Sequence, residues 1–281
     1  MSYNSLTVEF TNHIAHIQLN RPEAMNSMNA DFWQEVPQVV REIDQKAEAR
    51  CIVISSTGKH FSAGMDLAIF ANPDLLPSEG EPGRLGENLR RVVLELQDVC
   101  TALEEVRIPV LTAIQGGCIG GAVDLVCASD SRYCTEEAFF SIKETQLGMT
   151  ADVGTLQRLP HLISHGLTRE LAYTGRKLLA EEAMQCGLVN KVFKDQDAML
   201  DGVMEIATMI AKNSPLAVAG CKEMINYSRD HSVADSLKYM ATWQSGMFRP
   251  SHDMMACFTA KTEGKDPEFD ELLPKKSLFS E

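Results

Sequence analysis

The stretch "GGCIGGAVDL", Gly116–Leu125, decides the fold of this chain. It follows the apolar run "PVLTAI" and leads into the apolar segment "AVDLVCAS", so a buried strand is predicted to turn sharply into a helix. Gly120 and Gly121 would lie in the first turn of that helix, where backbone N–H groups have no partner inside the helix. Such a corner can bind an anion, and Asp124 stands just inside it.

A second small-residue bend, "HFSAGMDL" (His60–Leu67), follows the strand-like run "CIVISS". If N–H groups of both bends converge on one oxygen, they form an oxyanion hole, which stabilises charge that develops during a reaction. Neither stretch has the GxGxxG spacing of a dinucleotide site, and neither is followed by the GK[ST] of a phosphate-binding loop. Alone, each bend is weak evidence of a site.

Strand and helix patterns alternate along the rest of the chain. "LTVEF" and "HIAHIQLN" predict a hairpin, and Ala30–Lys46 and Arg84–Glu105 predict amphipathic helices. "RYCTEEAFFSI" and "GLVNKVF" predict three short strands, and from Asp197 to about Ala260 the pattern is almost entirely helical. We therefore expect an α/β fold with an all-α C-terminal part.

Composition narrows the possible partners. The 281 residues are 44% hydrophobic and 23% charged, and the formal net charge is -13. Such an acidic chain is unsuited to nucleic acid or to anionic membrane as a general partner. The polar start does not have the layout of a signal peptide, and no apolar run reaches the length of a membrane span. We expect the eight scattered cysteines to be buried, reduced thiols, and no metal-ligand pattern is present.

Five motifs, in order along almost the whole chain, resemble the enoyl-CoA hydratase/isomerase (crotonase) family. They are "LNRPEAMNSMN", "FSAGMDL", "IQGGCIGGAVDL", "SIKETQLGMTADVGTLQRLP" and "AYTGRKLLAEEAMQCGLVNKV". The resemblance implies a spiral of ββα units that forms an acyl-CoA site, which we place in residues 1–200. It also implies a C-terminal helical region, residues 201–281, that builds homotrimers, commonly paired into hexamers.

The resemblance assigns further residues to the site. The backbone N–H groups of Met65 and Gly121 would hold the thioester oxygen as it becomes an enolate. The residues that would contact coenzyme A are Ala24, Ala63, Asp66, Leu67, Phe258 and Lys261. Coenzyme A would be part of the substrate, and no separate cofactor is expected.

Three acidic residues indicate which reaction within this family the protein would catalyse. Hydratases of this family have glutamates at the positions of Asp124 and Glu144, and a glycine at the position of Asp152. The combination Asp124, Glu144 and Asp152 is instead similar to that of the Δ3,5-Δ2,4-dienoyl-CoA isomerase branch. The resemblance therefore implies that these three acids are catalytic and that the protein works in the β-oxidation of unsaturated fatty acids.

The isomerase reaction explains why the acids are needed. Removing a proton from C2 of a 3,5-dienoyl thioester gives a dienolate, and returning a proton at C6 gives the 2,4-diene. One base must face C2 and one acid must face C6, which requires two carboxyl groups with different pKa values. We expect Glu144 to be the base and Asp152 the acid, with Asp124 tuning the pair.

Other interpretations remain open at this point. The protein could be an enoyl-CoA hydratase, a 3,2-enoyl-CoA isomerase, or a non-catalytic relative that serves as a scaffold or RNA-binding subunit. Asp124 could simply favour a helix N-terminus, and Asp130 and Arg132 are expected to form a structural ion pair. The protein would be cytoplasmic in a bacterium, or in the mitochondrial or peroxisomal matrix of a eukaryote. The polar stretch Asn72–Gly86 leaves the acyl length open.

Overall fold

The structure, a computed structural model, describes residues 3–71, 77 and 79–275. These residues form two β-sheets and ten α-helices. The strands are β1 (Leu6–Thr11), β2 (Ile14–Leu19), β3 (Cys51–Ser56), β4 (Val110–Ile114), β5 (Gly117–Ile119), β6 (Ser131–Thr135), β7 (Phe139–Ser141), β8 (Leu178–Leu179) and β9 (Lys191–Phe193). The helices are α1 (Ala30–Lys46), α2 (Pro82–Glu105), α3 (Gly121–Ala128), α4 (Thr155–Arg158), α5 (His165–Thr174), α6 (Ala180–Gln185), α7 (Gln196–Ala211), α8 (Pro215–Ser228), α9 (Val233–Met247) and α10 (Met255–Glu263).

The larger sheet has the strand order β1-β2-β3-β4-β6-β9. β1 and β2 form the predicted antiparallel hairpin, and the remaining neighbours are parallel. Every residue of β3 and β4 is buried, as expected for central parallel strands that are covered on both faces. Cys51 and Val53 face α7, whereas Ile52 and Ile54 belong to the core that includes α1, α2 and α3. The α/β class predicted from the sequence is confirmed.

The smaller sheet has the strand order β5-β7-β8, and its strands alternate along the chain with strands of the larger sheet. β4 enters the larger sheet, β5 enters the smaller sheet, and α3 follows; β6 and β7 divide between the two sheets in the same way. A bridge between Ser62 and Cys118 ties the bend after β3 to β5. This repetition is the ββα spiral that the resemblance implies. It delivers Gly120 and Gly121 at the end of β5.

Local capping explains where the first two long helices begin. The Asn29 side chain accepts a hydrogen bond from the Phe32 N–H at 3.1 Å, so α1 starts at Ala30 as predicted. The Glu81 carboxylate accepts from the N–H groups of Gly83 and Arg84, which starts α2 two residues earlier than predicted. Of the polar stretch 72–86, residues 72–76 and 78 lie outside the described residues.

The predicted ion pair between Asp130 and Arg132 is wrong. The Asp130 carboxylate lies 2.9 Å from the Lys222 ammonium group, and the Arg132 guanidinium donates to the backbone carbonyls of Leu188 and Ser129. Lys222 is 6% exposed and comes from α8, so the pair joins the helical region to the sheet. Asp130 and Arg132 are close in sequence, which suggested that they pair, but the partner of Asp130 is Lys222, far along the chain.

The cysteine prediction holds for only part of the set. All eight thiols are free. Cys186 is partly buried, and Cys221 and Cys257 are exposed, which contradicts the expectation of burial. The five buried cysteines are Cys51, Cys100, Cys118, Cys127 and Cys134.

The C-terminal part remains connected to the spiral. The boundary that we predict between residues 200 and 201 falls inside α7, whose Met199, Val203 and Ala207 pack against the larger sheet. After α10 the chain returns to the core, where the Lys275 ammonium group lies 2.6 Å from the Asp44 carboxylate. In the part of the chain that the structure describes, no helix has the length and apolar character needed to cross a bilayer.

Candidate active site

Two loops meet at the N-terminus of α3. Gly64 has φ +83°, and a Cβ atom placed there would lie 2.5 Å from the carbonyl oxygen of Ile119 and 3.3 Å from the nitrogen of Gly121. Only glycine allows the bend after β3 to approach the end of β5 this closely. Hydrogen bonds between Ser62 and its neighbours Gly117 and Ile119 hold the two loops in register.

Two backbone N–H groups at this junction have no acceptor in the part of the chain that the structure describes. A parallel bridge joins Met65 to Met28, but its hydrogen bonds use the N–H groups of Met28 and Asp66. Gly121 is the first residue of α3, so its N–H has no acceptor within the helix. Among the described residues, neither the Met65 nor the Gly121 N–H donates to a protein acceptor. The predicted pair of amide donors is therefore brought together and left available.

The absence of a side chain at Gly120 lets the Glu144 carboxylate approach the N-terminus of α3. Its φ of +56° and ψ of -126° fit glycine, and a Cβ atom there would lie 3.2 Å from Glu144 Oε1. The Gly120 N–H donates to the Ser141 carbonyl at 2.9 Å, so β7 fixes this corner from the other side. The carboxylate of Glu144 thus lies directly beside the residue that precedes Gly121.

Glu144 is held by a turn and carries an unpaired oxygen. It opens a single 3₁₀ turn, Glu144–Leu147, and the Thr145 hydroxyl in that turn donates to the Ala172 carbonyl in α5 at 2.6 Å. Oε2 of Glu144 is buried and has no hydrogen-bond partner among the described residues. Burial raises the pKa of Glu144, and the charge of Asp152 raises it further. An unpaired buried carboxylate oxygen is poised to accept a proton.

Asp124 lies in the first turn of α3 and is 1% exposed. Its Oδ1 accepts a hydrogen bond from the Thr155 N–H at 2.5 Å, which ties α3 to the start of α4. Burial raises the pKa of Asp124 to about 7; the Thr155 N–H opposes this shift and the charge of Glu144 adds to it. The carboxylate therefore does more than favour a helix N-terminus, because it also joins two elements of the site.

Asp152 lies on the segment between Glu144 and α4. Its neighbours Ala151 and Val153 are each 4% exposed, whereas Asp152 itself is exposed. Partial desolvation raises the pKa of Asp152. Its backbone carbonyl accepts a hydrogen bond from the Gln97 side chain of α2 at 2.7 Å.

The three acids form one electrostatic cluster. The charges of Glu144 and Asp152 both raise the pKa of Asp124, and that of Asp152 raises the pKa of Glu144. Like charges in a partly desolvated site cannot all ionise easily. The arrangement favours proton sharing and proton transfer rather than the binding of an anion alone.

Four of the predicted coenzyme A contacts surround Met65. Ala24 is the last residue of a short 3₁₀ helix. The Ala63 N–H donates to the carbonyl of the next residue, Met25, at 3.0 Å. Asp66 follows Met65, and its pKa is lowered by the Ala68 N–H and then by the Ser27 hydroxyl, although burial opposes the shift. Leu67 is 66% exposed at the rim.

Phe258 and Lys261, the other two predicted contacts, lie apart from this group. Both are exposed on α10, which packs on the helical turn Pro250–Met254. No hydrogen bond or ion pair of the described residues joins either side chain to the loops around Met65. Their predicted contact with coenzyme A remains a prediction.

Sequence reasoning missed three residues that support the site through hydrogen bonds. The Gln97 side chain donates to the Asp152 carbonyl, and the Thr155 backbone N–H donates to the Asp124 carboxylate. His60 Nδ1 accepts the Gly117 N–H at 2.9 Å, which supports the start of the glycine loop. Two of these residues carried a signal in the sequence, since His60 directly precedes the "FSAGMDL" motif and Thr155 lies within "SIKETQLGMTADVGTLQRLP". Within the described ranges, no cluster of His, Cys, Asp or Glu could hold a metal ion.

Comparison with known proteins assigns this chain to a family. The model of the enoyl-CoA hydratase/isomerase family matches residues 9–271. An enoyl-CoA hydratase from Bacillus anthracis of known crystal structure superposes with a TM-score of 0.84 at 29% identity, covering 97% of this chain and 100% of that one. The chain belongs to the enoyl-CoA hydratase/isomerase family, and its fold is the crotonase spiral with C-terminal helices.

Two relatives narrow the likeness within that family. The mitochondrial Δ(3,5)-Δ(2,4)-dienoyl-CoA isomerase of Homo sapiens is 45% identical over 267 residues, which cover 94% of this chain and 81% of that protein. The peroxisomal Δ(3,5)-Δ(2,4)-dienoyl-CoA isomerase of Arabidopsis thaliana is 42% identical over 275 residues, which cover 96% and 99% of the two chains.

Proposed function

We propose that this protein is a Δ3,5-Δ2,4-dienoyl-CoA isomerase that moves a proton from C2 to C6 of a 3,5-dienoyl-CoA. The observation that carries the proposal is the Glu144 carboxylate, whose Oε1 lies close to Gly120 and whose buried Oε2 has no hydrogen-bond partner among the described residues. Gly121, the next residue, carries one of the two available N–H groups, and the charge of Asp152 acts on Glu144. The names of the human and Arabidopsis relatives support the same reaction.

The amide pair supplies the first part of the mechanism. When the thioester oxygen lies between the N–H groups of Met65 and Gly121, the charge of the dienolate is stabilised as it forms. Gly121 adds the positive end of α3, which favours the same charge. One donor of this kind is worth about 100- to 1,000-fold in rate.

The acids supply the second part. Glu144 takes the C2 proton, because its carboxylate lies beside Gly120, the residue before the amide donor Gly121, and keeps one oxygen without a partner among the described residues. Asp152, on the neighbouring segment, donates a proton at C6, and desolvation favours its protonated form. Before the next turnover Glu144 releases the C2 proton to solvent, and the exposed Asp152 takes up a proton from solvent. Asp124 holds Thr155 through the Thr155 N–H, and the charges of Glu144 and Asp152 add to the rise in the pKa of Asp124 that burial causes.

An ultraviolet assay tests this function. Purified protein is given 3,5-octadienoyl-CoA, and formation of the conjugated 2,4-product is followed by its absorbance; hydration of crotonyl-CoA is measured in parallel. We expect isomerisation to be the faster reaction. Dominant hydration of crotonyl-CoA would instead support the alternative, an enoyl-CoA hydratase, and no turnover of either substrate would support a scaffold role.

The reaction as proposed needs no cofactor, since both proton transfers use side chains and coenzyme A enters with the substrate. We also propose homotrimers or hexamers, since α9 has no buried residue in the single chain and exposes Val233 and Leu237 at 77% and 66%. The proposed compartment is the cytoplasm of a bacterium or the mitochondrial or peroxisomal matrix of a eukaryote.

A further inference from the structure

The acid segment around Asp152 is attached to the body of the protein by few hydrogen bonds. Apolar packing of Ala151 and Val153 anchors the backbone on either side of Asp152. The Asp152 carbonyl accepts the Gln97 amide at 2.7 Å, and the Val153 carbonyl accepts the Arg158 side chain at 3.4 Å. The shorter of these two bonds is therefore made by a helix outside the segment.

Gln97 belongs to a polar row on α2. The row continues at Thr101, whose hydroxyl accepts from Arg158 at 3.4 Å, and at Glu104, whose carboxylate pairs with Arg158 at 2.7 Å. Residues spaced by four and three positions share one face of a helix. One face of α2 thus contacts the chain from Asp152 to Arg158 at three successive turns.

The position of the bond explains its effect on the carboxyl group. The carbonyl carbon of Asp152 is bonded directly to its Cα, so a hydrogen bond to the carbonyl oxygen restrains rotation about that bond. This rotation sets the direction of the Cα–Cβ bond relative to α2. The hydrogen bond from Gln97 therefore restrains the backbone from which the exposed Asp152 side chain projects.

We propose that Gln97 is a positioning residue that aims the Asp152 carboxyl group at C6 of the substrate. This inference rests on the proposed isomerase function. Gln97 contacts the backbone of the acid and has no role at C2, where Glu144 is held by the separate contact between Thr145 and Ala172. Loss of Gln97 should therefore impair the second proton transfer and spare the first.

The test separates the two proton transfers. Gln97→Met removes the donor at similar size, and Gln97→Lys retains an N–H donor. The matched control is Gln38→Met, because Gln38 donates to Glu42 on an exposed face of α1. Each protein is incubated with 3,5-octadienoyl-CoA in D2O, and both isomerisation and deuterium exchange at C2 are measured above the uncatalysed background.

We expect Gln97→Met to isomerise about 10- to 100-fold more slowly, within the range of general acid catalysis, while C2 exchange stays within about twofold of wild type. Gln97→Lys should recover part of the loss, and Gln38→Met should match wild type in both reactions. The basic limb of the pH profile should also move to lower pH in Gln97→Met, because a less ordered Asp152 is better solvated.

Two results would overturn the inference while leaving the function intact. Isomerisation by Gln97→Met at the wild-type rate would mean that Gln97 does not position the acid. An equal fall in isomerisation and C2 exchange would mean that Gln97 supports the fold as a whole. If the wild-type protein itself fails to isomerise the substrate, the proposed function fails first, and the two failures are thus distinguishable.

Discussion

A carboxyl group's surroundings decide which proton state the folded chain prefers, and Asp124 is the clearest case here. Burial raises its pKa to about 7, whereas an exposed aspartate in the unfolded chain has a pKa near 3.8. The folded state therefore binds this proton more tightly than the unfolded state does. Its contribution to stability is fully present below pH 3.8 and is lost as the pH rises towards 7.

The Asp124→Asn variant tests the predicted direction in which the stability contribution of Asp124 changes with pH. Asparagine retains an oxygen for the Thr155 N–H but cannot ionise, so the variant avoids the cost of a buried charge. We expect the melting temperature of the variant, relative to wild type, to rise between about pH 4 and pH 7 and then to level off. Thermal unfolding followed by circular dichroism at several pH values gives the answer. A difference that does not change with pH would contradict the assigned pKa shift.

The two proposed proton-transfer groups give a second prediction at this scale. We expect Glu144→Gln and Asp152→Asn each to reduce isomerisation about 100- to 10,000-fold, the usual contribution of general acid–base groups. The matched control is Glu137→Gln, because Glu137 is exposed. Steady-state isomerisation rates with 3,5-octadienoyl-CoA are measured for each variant. If either acid variant keeps wild-type turnover, the proton-transfer role proposed for that acid is wrong.

At the scale of elements, the glycine corner between β5 and α3 depends on backbone geometry. A methyl group at Gly120 would strain a conformation that suits glycine and would lie 3.2 Å from Glu144 Oε1. Gly86, in α2, offers a control, because a Cβ atom there would meet none of the described residues within 4 Å. The same substitution should have opposite effects at the two positions.

We expect Gly120→Ala to lower the free energy of unfolding by about 1–3 kcal/mol through backbone strain. It should also slow isomerisation more than tenfold, because the methyl group displaces the Glu144 carboxylate. Gly86→Ala should raise stability by up to about 1 kcal/mol, since alanine favours a helix. Urea unfolding and the ultraviolet assay measure both effects, and equal behaviour of the two variants would refute the explanation.

The sequence predicted elements well where their signals are local. The sequence predicts both ends of helix α1 correctly. Asn29 caps its N-terminus, and the helical spacing of apolar residues continues to its C-terminus. β5, three residues within the glycine run, was missed because its pairing with β7 comes from tertiary structure. Asp130 was assigned the wrong partner for the same reason, since Lys222 is distant in the chain.

The candidate site shows the same division between local and distant signals. The family motifs identified Gly121, Met65 and the three acids, and the structure brings these residues together. No pattern in the sequence indicated that Gln97 supports Asp152, because a single glutamine on an amphipathic helix carries no signature. Contacts between distant segments required the fold.

At the scale of the whole molecule, the apolar surface of the C-terminal helices predicts assembly. Ile225 on α8 is 69% exposed, and Leu237 on α9 is 66% exposed. A monomer that exposes this much apolar surface is disfavoured in water. We expect sedimentation of the wild-type protein at the mass of three or six chains, and dissociation of the assembly by Leu237→Glu. A wild-type monomer with native circular dichroism would contradict the proposed assembly.

The central claim is that Glu144 removes the C2 proton and Asp152 supplies the proton at C6. The most direct measurement is deuterium exchange at C2 of 3,5-octadienoyl-CoA in D2O by wild type, Glu144→Gln and Asp152→Asn. We predict that Asp152→Asn still exchanges the C2 proton while failing to form the 2,4-product, and that Glu144→Gln does neither. Loss of C2 exchange in Asp152→Asn, or its persistence in Glu144→Gln, would contradict the proposed roles.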